Sequence, residues 1–317
     1  MNIRNLFRYI LITACMTAGA IGAGGIADRR TIPGMMLCDN AELVAVMEIN
    51  MELAEKCRAK WGCKKAYDNE ADLLADPEID AVYIASPVVL HAKQAMAAAD
   101  AGKHILIEKP LAMTAEEGRK VVDYCESKGV KIAAGLMMRF GAYVQAMKKA
   151  VAEGKIGKPV SGYAQFTCWY PDMPGNWRQS KKNGGGGAMM DMGVHCIDLL
   201  QYILATEAQD VAAFHDTITF NYEVEDQASL MMELENGAFA YVESNFNVPD
   251  AVPSKLEIYG TLGPSCCTTE IIEDLLRSGM TGMRLNLSHC DLEERKDWIQ
   301  AFHQACNHLK IKADFRK

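Results

Sequence analysis

The sequence contains no Cys-x-x-Cys pair, and its 11 cysteines, scattered from Cys15 to Cys306, are odd in number. Neither a zinc site nor a disulfide framework is indicated, and reduced thiols in a cytosol fit best. No run of Lys or Arg stands out and the formal net charge is −8. The electrostatic footprint of a nucleic-acid binder is therefore missing. No apolar run is both long enough and free enough of glycine to read as a transmembrane helix. Prolines are few, 10 in 317 residues, against 25 glycines. Half of the residues are hydrophobic, which at this length can bury a sizeable core in two domains or one large one. There is no internal repeat.

The N-terminus admits two readings. Met1–Arg8 carries Arg4, Arg8 and the α-amine, and Tyr9–Ala23 is mostly apolar or small. That resembles a secretory signal, and Ile12-Thr13-Ala14-Cys15 resembles a bacterial lipoprotein cleavage box. The second half of the run also reads as the first strand of a nucleotide-binding unit, and this is the reading favoured. A cytoplasmic protein is then expected, with an exported form if residues 1–23 act as a signal.

Gly22-Ala23-Gly24-Gly25-Ile26-Ala27 matches G-x-G-x-x-A. Glycines there permit a tight turn and close approach of backbone to a pyrophosphate resting on a helix N-terminus. The motif alone is weak, but it lies between an apolar run and a helical stretch. Leu43–Met47 reads as the second strand, ended by Glu48. An acid at that point accepts hydrogen bonds from an adenosine ribose and disfavours a 2′-phosphate, so it favours NAD over NADP. The alternative is an ordinary acid at the start of a helix over Met51–Trp61. Gly22 and Glu48 are 26 residues apart, more than the usual ~20, and Pro33-Gly34 with the segment after it can hold the excess.

Ala81–Ala85 is the next clear strand, followed by Ser86-Pro87. Val89–Ala101 reads as a helix closed by Gly102. His91, near its start, either contacts a cofactor phosphate or only packs. Lys103–Pro110 reads as a short buried strand ending in Glu108, Lys109 and Pro110. Charged groups at the carboxyl end of such a strand stand where open α/β sheets bind ligands, and Pro110 has no N–H with which to continue the ladder. Glu108-Lys109 is either a solvated pair closing a strand or a functional one, since a lysine there can shuttle a proton if its surroundings lower its pKa. Thr114 and Glu117 form a capping box for a helix reaching Lys128, and Val130–Ala134 is another strand. Strands alternating with helices imply a parallel, doubly wound sheet.

The pattern changes beyond residue 137. A helix over Ala142–Glu153 and a strand over Val160–Trp169 lead to a loop, 170–187, that contains Trp177-Arg178 and Gly184–Gly187. Ala188–Leu204 reads as a helix. Strands then follow at about 211–221, 227–235 and 238–247, the last two joined by the hairpin signal Asn236-Gly237, with a further strand over Lys255–Tyr259. Strands without intervening helices argue for an antiparallel sheet. On the 188–204 helix, Asp191 and His195 are four apart and share a face. A histidine exchanges protons near neutral pH, and a carboxylate one turn away can orient it or bind a substrate hydroxyl. The plain alternative is a packed histidine with a capping acid. Asp198 could extend the face. A metal held by Asp191, His195 and Cys196 is disfavoured because Cys196 points elsewhere.

Together these motifs resemble the glucose–fructose oxidoreductase / inositol dehydrogenase (Gfo/Idh/MocA) family, from about Gly19 to Gly263. The carriers are the glycine motif, Ser86-Pro87 with His91, Ala101-Gly102-Lys103-His104 leading into Glu108-Lys109-Pro110, Arg139-Phe140, Trp177-Arg178 and Gly185–Asp198. The resemblance implies an α/β Rossmann-type doubly wound parallel sheet domain over 1–137. An α+β domain with a large, mostly antiparallel sheet follows over 138–317. It implies a nicotinamide-dependent oxidoreductase acting on a sugar, inositol or related polyol, with NAD rather than NADP as cofactor and no metal. Lys109, Asp191 and His195 are the implied catalytic residues. The implied cofactor residues are Gly22, Gly24, Gly25, Ile26, Glu48, Ser86, Pro87, His91, Glu108 and Lys109. Arg139, Trp177 and Arg178 join the catalytic three around the substrate. A homodimer or homotetramer is expected, because family members commonly pair their antiparallel sheets, and neither nucleic acid nor membrane is expected as a partner. A non-catalytic sensor on the same fold and an NAD-dependent glycoside-cleaving enzyme are the alternatives. Three features depart from the pattern. Val88 stands where an asparagine is common. The first strand is made of small residues. After Gly263 only the family's late helix, over Asp291–Lys310, can be aligned, so the C-terminus reads as short.

Overall fold

The computed structural model describes residues 16–248, 254–262, 266–277, 282–285, 296–311 and 314–316. Of the signal-like stretch 1–23, residues 1–15 lie outside them, as do Pro264-Ser265 and the first residues of the late helix. That helix is described over Lys296–Leu309. The chain divides into two compact units, the first formed by Met1–Phe140 with Met173–Asp191 and the second by Gly141–Asp172 with Met192–Lys317. The segment 173–191, assigned from sequence to the second domain, thus groups with the first.

Six parallel strands form the sheet of the first unit: β1 (Met16–Ile21), β2 (Ala41–Met47), β3 (Lys65–Tyr67), β4 (Ala81–Ile84), β5 (His104–Ile107) and β6 (Ile132–Ala134). Their order is β3-β2-β1-β4-β5-β6, the doubly wound arrangement, with its switch point between β1 and β4. One face packs Ile21, Val82, Ile84, Ile105 and Ile107 against Leu73, Ala95, Ala98, Val121 and Cys125. The other packs Ala18, Ala20, Tyr83 and Leu106 against Ala23, Ala27, Ile32, Met35 and Cys57. Full burial of a side chain such as Ile84 or Ile105 stabilises by about 2 kcal/mol.

The small residues of β1 have a packing cause. The strand is central, paired with β2 on one side and β4 on the other, and both faces are covered. A Cβ on Gly19 would lie 2.9 Å from Leu73 Cδ2 and 3.0 Å from Ile79 Cδ1. At position 19 the volume that a larger side chain would fill is already occupied by Leu73 and Ile79, so packing overrides strand propensity there. After β1 the helix Ala23–Thr31 is wound wide and broken at Gly25 (φ −100°, ψ −117°). A short helix, Ile32–Met35, follows with Pro33 in its first turn, where a missing N–H costs nothing. This extra turn accounts for the long spacing between Gly22 and Glu48.

The second unit is built on a mixed sheet whose core of five strands is mostly antiparallel. The strands are β7 (Pro159–Thr167), β8 (Ala208–Asp216), β9 (Gln227–Leu234), β10 (Phe239–Asn245) and β11 (Lys255–Leu262), extended at the β11 edge by β12 (Gly282–Leu285) and β13 (Asp314–Arg316). The order is β13-β12-β11-β7-β10-β9-β8. β8-β9-β10 is an antiparallel meander, whereas β10 runs parallel to β7. The β9–β10 hairpin closes through Gly237 (φ +81°), whose N–H donates to the Leu234 carbonyl at 2.8 Å. Along β9 Ala228, Leu230, Met232 and Leu234 are buried and alternate with more exposed residues, as a one-sided sheet requires. Helix Val194–Leu204 covers the buried face, and a Cβ on Gly162 would lie 2.8 Å from Leu200 Cδ2.

One strand boundary differs from expectation for an identifiable reason. Thr217–Phe220, rich in β-branched residues, was expected to continue β8 to about 221, yet β8 ends at Asp216. The carboxylate of the fully buried Asp226 accepts from the backbone N–H groups of Ile218 at 3.1 Å, Thr219 at 2.7 Å and Phe220 at 3.0 Å. Three backbone donors that a sheet ladder would have used are thereby turned onto one side chain.

Candidate active site

The glycine loop sits at the switch point of the parallel sheet. Gly22 closes β1 in the left-handed region (φ +77°, ψ 48°), and a Cβ there would lie 2.9 Å from Ala85 C and from Ser86 N. The chains leaving β1 and β4 therefore pass in backbone contact, which only glycine permits. Gly24 N–H donates to Glu48 Oε2 at 3.1 Å and Ile49 N–H to Glu48 Oε1 at 3.1 Å. A Cβ on Gly24 would lie 2.6 Å from Leu53 Cδ2, whereas nothing lies within 4 Å of the Cβ position of Gly25. Ile26 is half-buried. The loop is thus a cradle of bare backbone with one open side and a carboxylate at its edge. That donor set fits a dinucleotide, with N–H groups for the pyrophosphate and an acid for the ribose.

The Ser86-Pro87 loop is held from behind. Ser86 Oγ donates to Gln94 Oε1, and Gln94 Nε2 donates to Glu70 Oε2 at 2.8 Å. His91, 1% exposed, has Nδ1 2.8 Å from the Pro110 carbonyl and Nε2 3.0 Å from the Ser86 carbonyl. Burial lowers its pKa. Both ring nitrogens face backbone carbonyls, which favours the packing role over the phosphate contact left open by the sequence. Val88 is 3% exposed and fills core space where an asparagine was expected.

At the carboxyl end of β5 the lysine finds its partner far along the chain. Lys109 Nζ lies 2.6 Å from Asp191 Oδ1 and 2.6 Å from the Asp191 carbonyl, with side chains 17% and 33% exposed. Glu108, the residue before it, accepts from Tyr83 Oη at 2.5 Å. Burial pushes the Glu108 carboxyl above the usual range, against the pull of the Tyr83 hydrogen bond and the charges of Lys109 and Arg178. The short turn Trp177–Gln179 is capped by Asn176, whose Oδ1 accepts from Arg178 N–H at 3.0 Å. The Arg178 guanidinium lies 4.3 Å from the Trp177 ring centre. Arg139 sits half-buried on the turn Met137–Phe140 after β6.

The structure thus brings together Gly22 with Ser86, Gly24 with Glu48, His91 with Ser86 and Pro110, and Lys109 with Asp191. Tyr83, which sequence reading placed only as a strand residue, joins Glu108. His195 belongs to the second unit. It is 5% exposed on the helix Val194–Leu204, with its ring 6.4 Å from that of Phe166 at 39°. This helix continues directly from a wide first turn, Met189–Gly193, that carries Asp191. Burial pushes the Cys196 thiol up to about 12, so it is an inert packing group rather than a nucleophile. Among the described residues no cluster of three His, Cys, Asp or Glu side chains is arranged to hold a metal ion. Among them, too, no helix is long and apolar enough to cross a membrane.

A doubly wound sheet with a glycine cradle at its switch point, and a lysine–carboxylate pair at its carboxyl edge, defines a dinucleotide-binding oxidoreductase. Residues 16–136 match the oxidoreductase family with an NAD-binding Rossmann fold, and residues 144–264 match the GFO/IDH/MocA C-terminal domain. The chain belongs to the Gfo/Idh/MocA family of oxidoreductases. It is 31% identical to the 1,5-anhydro-D-fructose reductase of Ensifer adhaerens, over 90% of this chain and 87% of that one. Over 74% of this chain and 71% of the relative it is 34% identical to D-xylose 1-dehydrogenase (NADP(+)) 2 of Haloferax volcanii. Among solved structures, levoglucosan dehydrogenase in complex with NADH and levoglucosan superposes with a TM-score of 0.72 at 30% identity, covering 77% of this chain and 71% of that one.

Proposed function

We propose that the protein transfers hydride between NAD and a secondary alcohol of a sugar, inositol or related polyol. The observation that carries this reading is the Lys109 cation held 2.6 Å from Asp191 at the carboxyl edge of a dinucleotide-binding sheet. Bound NAD would supply the hydride acceptor. The alcohol carbon loses a hydride and its oxygen a proton, giving ketone, NADH and H⁺. Lys109 stabilises the alkoxide as its charge develops. Asp191 fixes Lys109 and accepts a substrate hydroxyl, and His195, four residues along the same helical run, takes the hydroxyl proton. Gly22, Gly24, Gly25, Ile26, Ser86 and Pro87 form the cofactor cradle, with His91 behind it. Glu108 contacts the nicotinamide ribose region, and Arg139, Trp177 and Arg178 reach toward substrate. In this reading residues 1–137 are the cofactor domain, and 138–317 provide substrate binding and oligomerisation.

Glu48 makes NAD the preferred cofactor. Its carboxylate already accepts two backbone N–H groups at the edge of the glycine loop, and a 2′-phosphate there would meet like charge. Titration of the purified chain with NADH and NADPH, read by nucleotide fluorescence, is expected to show saturable binding with NADH favoured about tenfold or more. Equal affinity would remove Glu48 as the selector, and binding of neither would remove the oxidoreductase reading. Turnover of inositols and aldoses then names the substrate class. Release of a free sugar without net NADH would instead mark a glycoside-cleaving enzyme.

A homodimer or homotetramer is the assembly we expect, and its support is the exposed apolar face of the mixed sheet. Phe214 is 84% exposed, Met231 43%, Phe239 41% and Tyr241 40%. The strand registers place Met231 beside Tyr241, and Phe214 beside Ser229 on that same face. Such an apolar patch marks an interaction surface. Sedimentation velocity is expected to show a dimer or larger for the wild type and a monomer for Met231→Glu/Tyr241→Glu. A monomeric wild type would refute the assembly. The buried thiols Cys57, Cys63, Cys125 and Cys196 agree with the cytoplasm as its compartment.

A further inference from the structure

Tyr83 lies inside β4, 1% exposed, and its hydroxyl touches two distant parts of the chain. Glu108 Oε1 is 2.5 Å away and Thr31 Oγ1 is 2.8 Å away. A phenol has a single proton and an ionised carboxylate only accepts. The Tyr83 proton therefore goes to Glu108, and the Thr31 hydroxyl donates to the Tyr83 oxygen. Thr31 ends the helix that begins at the glycine loop, and Glu108 adjoins Lys109. A third side of the carboxyl is closed by backbone, since a Cβ on Gly135 would lie 3.5 Å from Glu108 Cδ and 3.3 Å from the Ile107 carbonyl.

We propose that Tyr83 is a positioning residue for the reaction: by its hydrogen bonds to Glu108 and Thr31 it holds the Glu108 carboxylate in one orientation beside Lys109, tied to the helix of the glycine loop. This rests on the reading of Lys109 as catalytic. Tyr83 is not itself an acid or base, because burial and the Glu108 charge drive its own pKa well above the ordinary phenol value. The groups whose charge or hydrogen bond bears on Glu108 are Tyr83 from β4, Lys109 on its own segment and Arg178 from the 177–179 turn, while Asp191 faces Lys109. Among these, Tyr83 is a neutral donor bonded directly to the carboxylate. Its loss leaves a buried carboxyl that protonates at higher pH.

The test uses the full chain as wild type, Tyr83→Phe, Glu108→Gln and the double variant. In Tyr83→Phe we expect a native circular-dichroism spectrum and NADH affinity within about fivefold of wild type. With NAD and whichever polyol the wild type oxidises, kcat falls about tenfold with KM little changed, and the acidic limb of the pH–rate profile moves up by about one unit. Tyr83→Phe adds nothing once Glu108 is Gln, because the two act as one unit. A superposable pH profile, or penalties that multiply in the double variant, overturns the proposal. A second readout needs no substrate. In protein labelled with carboxyl-¹³C glutamate, the Glu108 resonance, assigned by its absence in Glu108→Gln, titrates at higher pH in Tyr83→Phe. An unmoved titration overturns the role of Tyr83 even if no polyol is turned over. A moved titration without wild-type turnover instead locates the failure in the oxidoreductase reading.

Discussion

Lys109→Ala is expected to lower NAD-linked oxidation by a hundredfold or more while leaving NADH binding measurable. The ammonium is the cation at the carboxyl edge of β5, anchored to Asp191 through both the carboxylate and the main-chain carbonyl at 2.6 Å. Removing a preorganised charge from a site where an alkoxide develops costs on the order of 10²–10³ in rate. The two anchoring bonds fix where the charge sits, so Lys109→Arg is not expected to restore activity. A planar guanidinium cannot place its charge at the ammonium position. The measurement is steady-state NADH formation alongside a fluorescence titration. Unchanged turnover in Lys109→Ala would take the lysine out of the mechanism.

His195→Ala is the second large loss expected, about a hundredfold or more in kcat. The imidazole is almost fully buried in the second unit, on a helix whose neighbouring side chains Cys196, Leu199 and Leu200 are packed in core. It is held by packing rather than by solvent, as a group that exchanges a proton in one geometry must be. Cofactor binding separates this effect from simple destabilisation. His195→Ala is expected to keep a native circular-dichroism spectrum and measurable NADH binding while turnover is lost. An alanine variant that loses NADH binding along with turnover would assign His195 a structural role.

Much of this arrangement could be read from local pattern. Strand 104–107 ending in Glu108-Lys109-Pro110 was legible because a short apolar run followed by charge and proline has few other readings. The helix over 115–127 was legible from Thr114, whose Oγ1 accepts from Glu117 N–H at 3.1 Å. Its capping box departs in one detail, since the Glu117 carboxylate returns to the N–H of Met113 rather than to that of Thr114. What stayed hidden depends on contacts between residues far apart in sequence. Tyr83 reaches Glu108 across 25 residues and Thr31 across 52. No local spacing marks it off from any other aromatic on a strand. Gly19 looked like weak strand material because the side chains that exclude a larger one there, Leu73 and Ile79, come from later in the chain. The strand-like Thr217–Phe220 is diverted by a carboxylate whose burial the sequence does not announce. The parallel pairing of β7 with β10 likewise follows from a long connection, on which alternation along either strand is silent.

The bond between Lys109 and Asp191 also has a bearing on the order in which the molecule is made. Its partners are 82 residues apart, and closing a loop of that length carries an entropic cost of about 4 kcal/mol from its length alone. A chain emerging from the ribosome has all six strands of the parallel sheet and the glycine cradle in hand by Ala134, well before residue 191 exists. Nucleotide recognition can therefore mature during translation, whereas the lysine acquires its counter-charge only once 173–191 has been synthesised and has returned. Reactivity is the last property the first unit acquires.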